Sequence, residues 1–103
     1  MVTVGTDAQR SRLALAAARQ YHNVFAAVGV HPNSASLASA ADERDAIAQL
    51  ARDPLVVAIG ETGFDQYWED ETLDSQRAAF EWQLELAREV GKPLVLHVRD
   101  KQG

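Results

Sequence analysis

The sequence contains no cysteine among its 103 residues. Disulfide bonds, thiolate metal sites and a cysteine nucleophile are therefore excluded, and no disulfide partner is expected. Long apolar runs are also missing, since a membrane span needs about 18 or more successive apolar residues and nothing in the sequence approaches that length. No basic segment suggests a signal peptide. We therefore expect a soluble cytoplasmic protein without a membrane partner.

An excess of positive charge is absent as well. Lysine and arginine total 10 residues against 15 aspartates and glutamates, which gives a formal net charge of −5. This balance argues against a broad basic groove that binds many phosphates. It leaves open a small phosphodiester site, where bound metal ions supply local positive charge. The hydrophobic fraction of 47% and the charged fraction of 24% are typical of a globular chain.

Short apolar runs alternate with helical patterns along the chain. Four runs predict strands, at residues 2–5, 24–30, 55–59 and 94–98. Three helices are predicted between them, at about residues 8–21, 43–52 and 74–90, with loops elsewhere. Strands without polar alternation are typical of parallel sheets that helices cover. The sequence therefore predicts one α/β domain over residues 1–103, with parallel strands in the order β-α-β-α-β-α-β.

Local signals predict the helix ends and the buried faces. Thr6 and Asp42 are predicted N-caps, and Gly91 is the predicted C-cap of the last helix. Trp68 and Trp82 are predicted to pack rather than to stack on a substrate. Helical spacing predicts a buried stripe in the first helix at Leu13, Ala16, Ala17 and Gln20, and in the last helix at Phe80, Leu84 and Ala87.

Polar side chains lie where the predicted strands end. His31 follows the second strand, Glu61 follows the third, and the fourth carries His97 and Arg99. In α/β proteins, ligands bind at the carboxyl ends of the strands. His97 and Arg99 are two residues apart, so both are predicted to face the same side of the sheet. Two imidazoles and a carboxylate suit a divalent metal ion, and the planar arginine side chain suits a phosphate.

Each of these residues also has a purely structural interpretation. His31 could end a strand in a turn, and Glu61 could cap a loop. His97 could be a hydrogen-bonded core histidine, and Arg99 could pair at the surface. Their joint placement at strand ends favours a functional site.

Three segments resemble the signatures of the TatD family of metal-dependent deoxyribonucleases. Residues 28–32, Val-Gly-Val-His-Pro, resemble its Gly-x-His-Pro segment. Residues 59–65, Ile-Gly-Glu-Thr-Gly-Phe-Asp, resemble its Gly-Glu-x-Gly-Leu-Asp segment, and Tyr67 lies in the aromatic stretch that follows. Residues 96–100, Leu-His-Val-Arg-Asp, resemble its His-x-Arg-Asp segment. Gln76 in the last predicted helix is also similar to the family. The resemblance implies a partial TIM-like (β/α) barrel, about half of the full domain.

The resemblance also implies roles for the residues of these segments. Glu61 would bridge two divalent ions, Mg, Mn or Zn, in the full-length protein, and His97 would be a metal ligand. Glu61, His31 and Asp65 would be the catalytic residues.

The substrate implied by the resemblance is DNA or another phosphodiester, hydrolysed by a water that the metal activates. His31, Arg99 and Tyr67 would bind this substrate. Arg99 would neutralise the charge that develops on phosphorus.

Part of the family pattern is missing from this sequence. The family's first strand carries a His-x-His pair that does not occur here, and its later histidine and aspartate ligands lie beyond the last residue. A full barrel takes about 250 residues. We therefore expect a fragment of an enzyme, inactive by itself. The alternatives are another metal-dependent hydrolase of the same barrel superfamily, with an ester, lactone or amide substrate, or a non-catalytic truncated α/β module.

Overall fold

The computed structural model describes residues 1–67 and 71–102 of the chain. Along these ranges the elements are β1 (Val2–Val4), α1 (Ala8–Gln20), β2 (Phe25–Val28), a 3-10 helix (Pro32–Ser39), α2 (Ala41–Leu50), β3 (Val56–Asp65), α3 (Leu73–Val90) and β4 (Leu94–Arg99). The strands form one parallel sheet in the order β1-β2-β3-β4. The predicted α/β fold and its order of strands and helices are thus confirmed.

The core lies between the sheet and its helices. Ala26, Val28 and Ile59 of the sheet are fully buried in it, together with Leu15 of α1 and Ile47 of α2. The burial of each large side chain stabilises the fold by about 2–3 kcal/mol. Trp82 packs against this core while partly buried, as predicted, whereas Trp68 lies outside the described residues.

The other face of the sheet is open along its apolar positions. Val2, Val4, Phe25 and Val95 are between 36% and 49% exposed. Val2 pairs with Phe25 across the sheet, which places both on this face. A closed barrel buries such inward-facing residues, so the open face agrees with the expectation of a partial barrel. None of the helices within residues 1–67 and 71–102 is both long enough and apolar enough to cross a membrane.

Two of the three predicted helix caps are wrong. Asp7, rather than Thr6, caps α1, because its carboxylate accepts a hydrogen bond from the backbone N–H three residues on. The second helix begins before Asp42, which lies in its first turn, where a negative charge suits the helix dipole. Gly91 does end α3 in the left-handed conformation, with φ 69°.

The predicted buried stripe of α1 is also wrong. Leu13 is 65% exposed, while Leu15 is 2% exposed and packs in the core. Leucine and alanine occur on two faces of this helix, so spacing alone does not select between them. The structure selects the face with Ser11, which is fully buried against Gly5 and accepts a hydrogen bond from the N–H of Gly29.

In α3 the buried face differs from the predicted one and is centred on Gln76, Ala79, Gln83 and Leu86. Ala87 is buried, but Phe80 and Leu84 are only partly buried. Two glutamines, Gln76 and Gln83, occupy the most buried positions instead. The apolar spacing of Phe80, Leu84 and Ala87 does not include these glutamines, so it predicts a neighbouring face of the helix.

The third strand is longer than predicted. It continues past residue 59 to Asp65 and pairs with β4 as far as Arg99, so the predicted loop at residues 64–73 begins too early. The 3-10 helix likewise occupies a segment predicted as loop. Gly63, with φ 138°, makes the long pairing possible, because a Cβ there would collide with the carbonyl oxygen of His97. Two strands can approach this closely only where the side chain is absent.

Gly63→Ala should therefore lower the free energy of unfolding by about 3–5 kcal/mol, since the added methyl meets backbone and the φ angle is unfavourable. Gly91→Ala is the matched control. Its φ is also positive, but nothing lies within 4 Å of the added atom, so we expect a loss of about 1–2 kcal/mol. Urea unfolding followed by circular dichroism measures both. Equal losses would contradict the close approach of β3 and β4.

Candidate metal centre

The segment after β2 and the strands β3 and β4 carry the three residues of the candidate site. His31 follows β2, and its backbone N–H donates to the carbonyl of Thr6 at 3.0 Å, which ties it to the end of β1. Glu61 lies inside β3 at a register shift, so the interpretation of Glu61 as a loop cap is wrong. His97 lies on β4 opposite Gly63. Parallel pairing therefore brings these side chains to one rim of the sheet.

Glu61, His31 and His97 form a compact cluster. The Oε1 atom of Glu61 lies 3.3 Å from Nδ1 of His97 and 3.5 Å from Nε2 of His31. One donor atom from each of the three residues lies within 4.8 Å of the others. Their side chains are 16–34% exposed, so the cluster remains open to small molecules. Two imidazole nitrogens and a carboxylate oxygen are suitable ligands for a divalent ion.

Asp65 lies beneath this cluster and is fully buried. Its carboxylate accepts hydrogen bonds from Arg99, at 3.0 Å from Nη2 and 3.3 Å from Nε, and from the backbone N–H of Tyr67 at 3.0 Å. Its Oδ2 also lies 3.0 Å from Nε2 of His97. Burial favours the neutral acid, but the hydrogen bonds from Arg99, His97 and Tyr67 outweigh it and hold the pKa of Asp65 at about 2. Asp65 is therefore ionised at neutral pH.

The ionised Asp65 determines which nitrogen of His97 carries the proton. A carboxylate can only accept, so Nε2 of His97 donates to it and neutral His97 has its lone pair on Nδ1. That nitrogen faces Glu61. A carboxylate that orients a histidine in this way is a common support for metal ligands.

His31 turns its Nε2, rather than its Nδ1, toward Glu61. Its Nδ1 accepts the backbone N–H of Asn33 at 3.1 Å, so neutral His31 carries its proton on Nε2. Burial and the neighbouring His97 lower the pKa of His31 below its usual 6.5, although Glu61 opposes them, and the neutral form predominates at pH 7. His31 therefore presents an N–H donor toward Glu61. Metal binding through Nε2 would require a proton on Nδ1, where the Asn33 N–H already points.

Arg99 is fixed beside the cluster by two contacts. Asp65 binds its guanidinium from one side, and the ring of Tyr67 stacks on it with 4.5 Å between Cζ and the ring centroid. The side chain of Arg99 is 34% exposed and Tyr67 is 45% exposed. A positive, planar group therefore lies at an accessible edge of the site.

The structure brings all six residues predicted from the sequence to one place: His31, Glu61, Asp65, Tyr67, His97 and Arg99. His97 and Arg99 face the same side of β4, as predicted, because both contact the carboxylate of Asp65. Sequence reasoning gave no supporting role to Gln76, which it recognised only as similar to the family, and it missed Gln83; both lie on α3. Gln76 accepts the N–H of Asp65 and donates to its carbonyl, at 2.8 and 2.9 Å. Two glutamines seven residues apart on the buried side of a helix were the available signal.

Comparison with known proteins agrees with this arrangement. The family described as TatD related DNase matches residues 1–103. This chain belongs to the TatD family.

TatD relatives cover nearly the whole chain. The 3'-5' ssDNA/RNA exonuclease TatD of Salmonella typhimurium is 43% identical over 100 residues, which are 97% of this chain and 38% of that protein. An uncharacterized metal-dependent hydrolase TatD of Mycobacterium tuberculosis is 42% identical over 106 residues, 96% of this chain and 39% of that protein. The chain thus spans less than two-fifths of the length of these relatives.

A solved TatD structure also matches the fold. The crystal structure of YJJV, a TatD homologue from Escherichia coli K12, superimposes with a TM-score of 0.82 at 32% identity, covering 95% of this chain and 38% of YJJV. The four parallel strands are therefore part of a TIM-like barrel, as the sequence predicted.

The charge on Asp65 leads to a pH prediction. Its folded pKa of about 2 lies below the usual 3.8, so its stabilising contribution is present above pH 4 and is lost as the pH falls toward 2. Asp65→Asn should cost about 2 kcal/mol at pH 7, the typical value for a lost charged hydrogen bond.

The difference in unfolding free energy between wild type and Asp65→Asn should shrink when measured at pH 3 in the presence of a chelator. Subtracting the variant removes the titration of the other carboxylates. A difference that stays constant between pH 7 and pH 3 would contradict an ionised, hydrogen-bonded Asp65.

Proposed function

We propose that this chain carries part of the active site of a metal-dependent nuclease, with a divalent ion bound by Glu61 and His97 and a phosphate bound beside it by Arg99. The observation that carries the proposal is the position of Asp65, which turns Nδ1 of His97 toward Glu61 and anchors Arg99 at the same time. The relatives named as an exonuclease and as a metal-dependent hydrolase support the same reaction class.

The donor set fits a divalent ion. The neutral imidazole of His97 and the carboxylate of Glu61 are 3.3 Å apart, a separation that a bound ion can bridge with small side-chain shifts. Glu61 would also help to hold a second ion in the full-length protein, as the family resemblance implies for Mg, Mn or Zn. A divalent ion bound there would lower the pKa of water and stabilise the negative charge that develops on a phosphate.

The remaining residues act on the substrate in this proposal. His31 donates its Nε2 hydrogen to a substrate oxygen, since its tautomer makes it a donor at neutral pH. Arg99 binds phosphate oxygens through charge-assisted hydrogen bonds, with Tyr67 restricting its orientation. Asp65 remains ionised and positions both His97 and Arg99.

The proposed substrate is single-stranded DNA or RNA, the substrate class for which the Salmonella relative is named. The proposal includes catalytic ligands outside these 103 residues, because a binuclear site needs more than Glu61 and His97. The chain by itself is therefore expected to bind metal but not to turn over substrate. Its cytoplasmic location and its extent as one partial domain also remain predictions.

Metal binding tests the first part of the proposal. Co²⁺ added to the chain should give the visible absorption of a site with nitrogen and oxygen ligands. Glu61→Gln and His97→Gln should each weaken binding by about 100-fold, because each removes a ligand. His31→Gln is the matched control and should change the affinity by less than about threefold, since His31 is a donor in this site.

Circular dichroism would show whether each variant is folded. If wild type binds no Co²⁺ while folded, the metal assignment is wrong, and a non-catalytic α/β module becomes the better interpretation. An equal loss in His31→Gln would make His31 a ligand instead of a donor.

A hybrid enzyme tests the reaction. Residues 1–103 would replace the matching segment of the Salmonella relative, which is 43% identical to them. The hybrid should degrade labelled single-stranded DNA with Mg²⁺ or Mn²⁺, and Glu61→Gln in the hybrid should lower the rate by about 10³-fold or more.

Aryl esters, a lactone and an amide would be assayed in parallel. A hybrid that hydrolyses these but leaves DNA intact would favour the alternative hydrolase. A folded hybrid with none of these activities would contradict both enzymatic interpretations.

A further inference from the structure

The segment before His31 leaves the strand ladder, and side chains form its hydrogen bonds instead. The second strand ends at Val28, and the next two residues are not part of its ladder. The N–H of Gly29 donates to Oγ of Ser11 at 3.3 Å. Both backbone groups of Val30 bond to the side-chain amide of Gln83, whose Oε1 accepts the N–H and whose Nε2 donates to the carbonyl, each at 3.0 Å. Gln83 therefore replaces the neighbouring strand at this point.

The same amide also reaches the segment that carries Glu61. Nε2 of Gln83 donates to Oγ1 of Thr62 at 2.9 Å, and both residues are almost completely buried. Val30 immediately precedes His31, and Thr62 immediately follows Glu61. One side chain of α3 thus connects the backbones next to two residues of the candidate site.

We propose that Gln83 is a positioning residue, which sets the His31 donor in register with the Glu61 and His97 pair. This inference rests on the proposed function in one respect, because it names the site that the register serves. Its structural part, the orientation of His31, does not require a metal ion.

The chemistry of the contacts requires an amide at position 83. The N–H of Val30 needs an acceptor, while its carbonyl and the hydroxyl oxygen of Thr62 receive a donor. Glutamine supplies both from one planar group. Glutamate has the same length but, when ionised, has no donor, and methionine offers neither. A buried backbone group that loses its partner is costly, so either replacement should displace the Val30 segment.

Gly29 gives independent support for this arrangement. A Cβ built at Gly29 would lie 2.5 Å from Oε1 of Gln83 and 2.9 Å from backbone atoms of Gly60. The glycine of the Gly-x-His-Pro segment is therefore needed where the Gln83 amide and β3 both approach the chain. Any side chain at position 29 would displace the Gln83 amide from Val30.

Gln76 shows that α3 uses the same device twice. It lies seven residues earlier on the same face and bonds both backbone groups of Asp65, and its remaining hydrogen bond goes to the carbonyl of Glu71. The two glutamines thus divide the site. Gln76 holds the residue that orients His97, and Gln83 holds the segment that orients His31.

The test measures the tautomers of His31 and His97 by long-range ¹H–¹⁵N NMR in the metal-free chain. In wild type, both neutral rings should carry the proton on Nε2. Gln83→Met should convert His31 to a mixture of tautomers, because the Val30 segment and the adjacent Asn33 contact loosen, while His97 stays unchanged on Asp65. Co²⁺ affinity should fall by about tenfold, as for other residues that support a metal site.

Leu86→Ala is the matched control, since Leu86 lies on the same helix and is 3% exposed in the core. It should lower stability at least as much as Gln83→Met but leave both tautomers unchanged. An equal change of His31 in Leu86→Ala would reduce Gln83 to a general packing role. An unchanged His31 in folded Gln83→Met would overturn the proposal.

Thr62→Val keeps the proposal falsifiable if Gln83→Met fails to fold. This substitution removes only the hydrogen bond between Gln83 and the residue after Glu61. The tautomer of His31 should therefore persist while Co²⁺ affinity falls severalfold. Unchanged Co²⁺ affinity in Thr62→Val would contradict a link between Gln83 and Glu61. If wild type binds no Co²⁺ but the tautomer results are as expected, the proposed function fails while the orienting role of Gln83 stands.

Discussion

A carboxylate buried without partners would cost several kcal/mol, and the carboxylate of Asp65 is fully buried. The site is arranged around the need to compensate this charge. Arg99 and His97 come to it from β4, and the N–H of Tyr67 comes from the chain that follows β3. Because one carboxylate receives all three, the position of the guanidinium and the tautomer of His97 are consequences of a single interaction. Gln76 of α3 then holds the backbone of Asp65 that this interaction requires.

The backbone of β3 explains why glycines flank the acid that we propose as a metal ligand. Gly60 and Gly63 both have positive φ angles and both lie against β4, where a side chain would collide with backbone. The register shift between them carries Glu61 out of the regular ladder and toward His97. The Gly-Glu-x-Gly segment is therefore a structural requirement of close strand pairing as well as the source of the carboxylate that we propose as a metal ligand.

Much of the fold could be predicted because its signals are local. Apolar runs and helical spacing identified all four strands and all three α-helices of the described ranges, and Gly91 identified the end of α3. The errors arose where the local sequence allows two structures and tertiary packing selects one of them. Ser11 selected the buried face of α1 through its bond to Gly29, and the pairing with β4 extended β3 through residues that resemble a turn.

For the site, the sequence by itself indicated six residues in three segments, and their order indicated the TatD family. His31, Glu61, His97 and Arg99 were predicted from their places at predicted strand ends, which meet at one rim of a parallel sheet. Asp65 and Tyr67 were implied by the resemblance alone. The tertiary structure alone decided which imidazole nitrogen faces Glu61 and which residues hold the backbone. The partners in these contacts are far apart in the sequence, 32 residues for Asp65 and His97 and 53 for Val30 and Gln83. No local pattern encodes such pairs, because hydrogen-bond direction depends on the folded geometry of both partners.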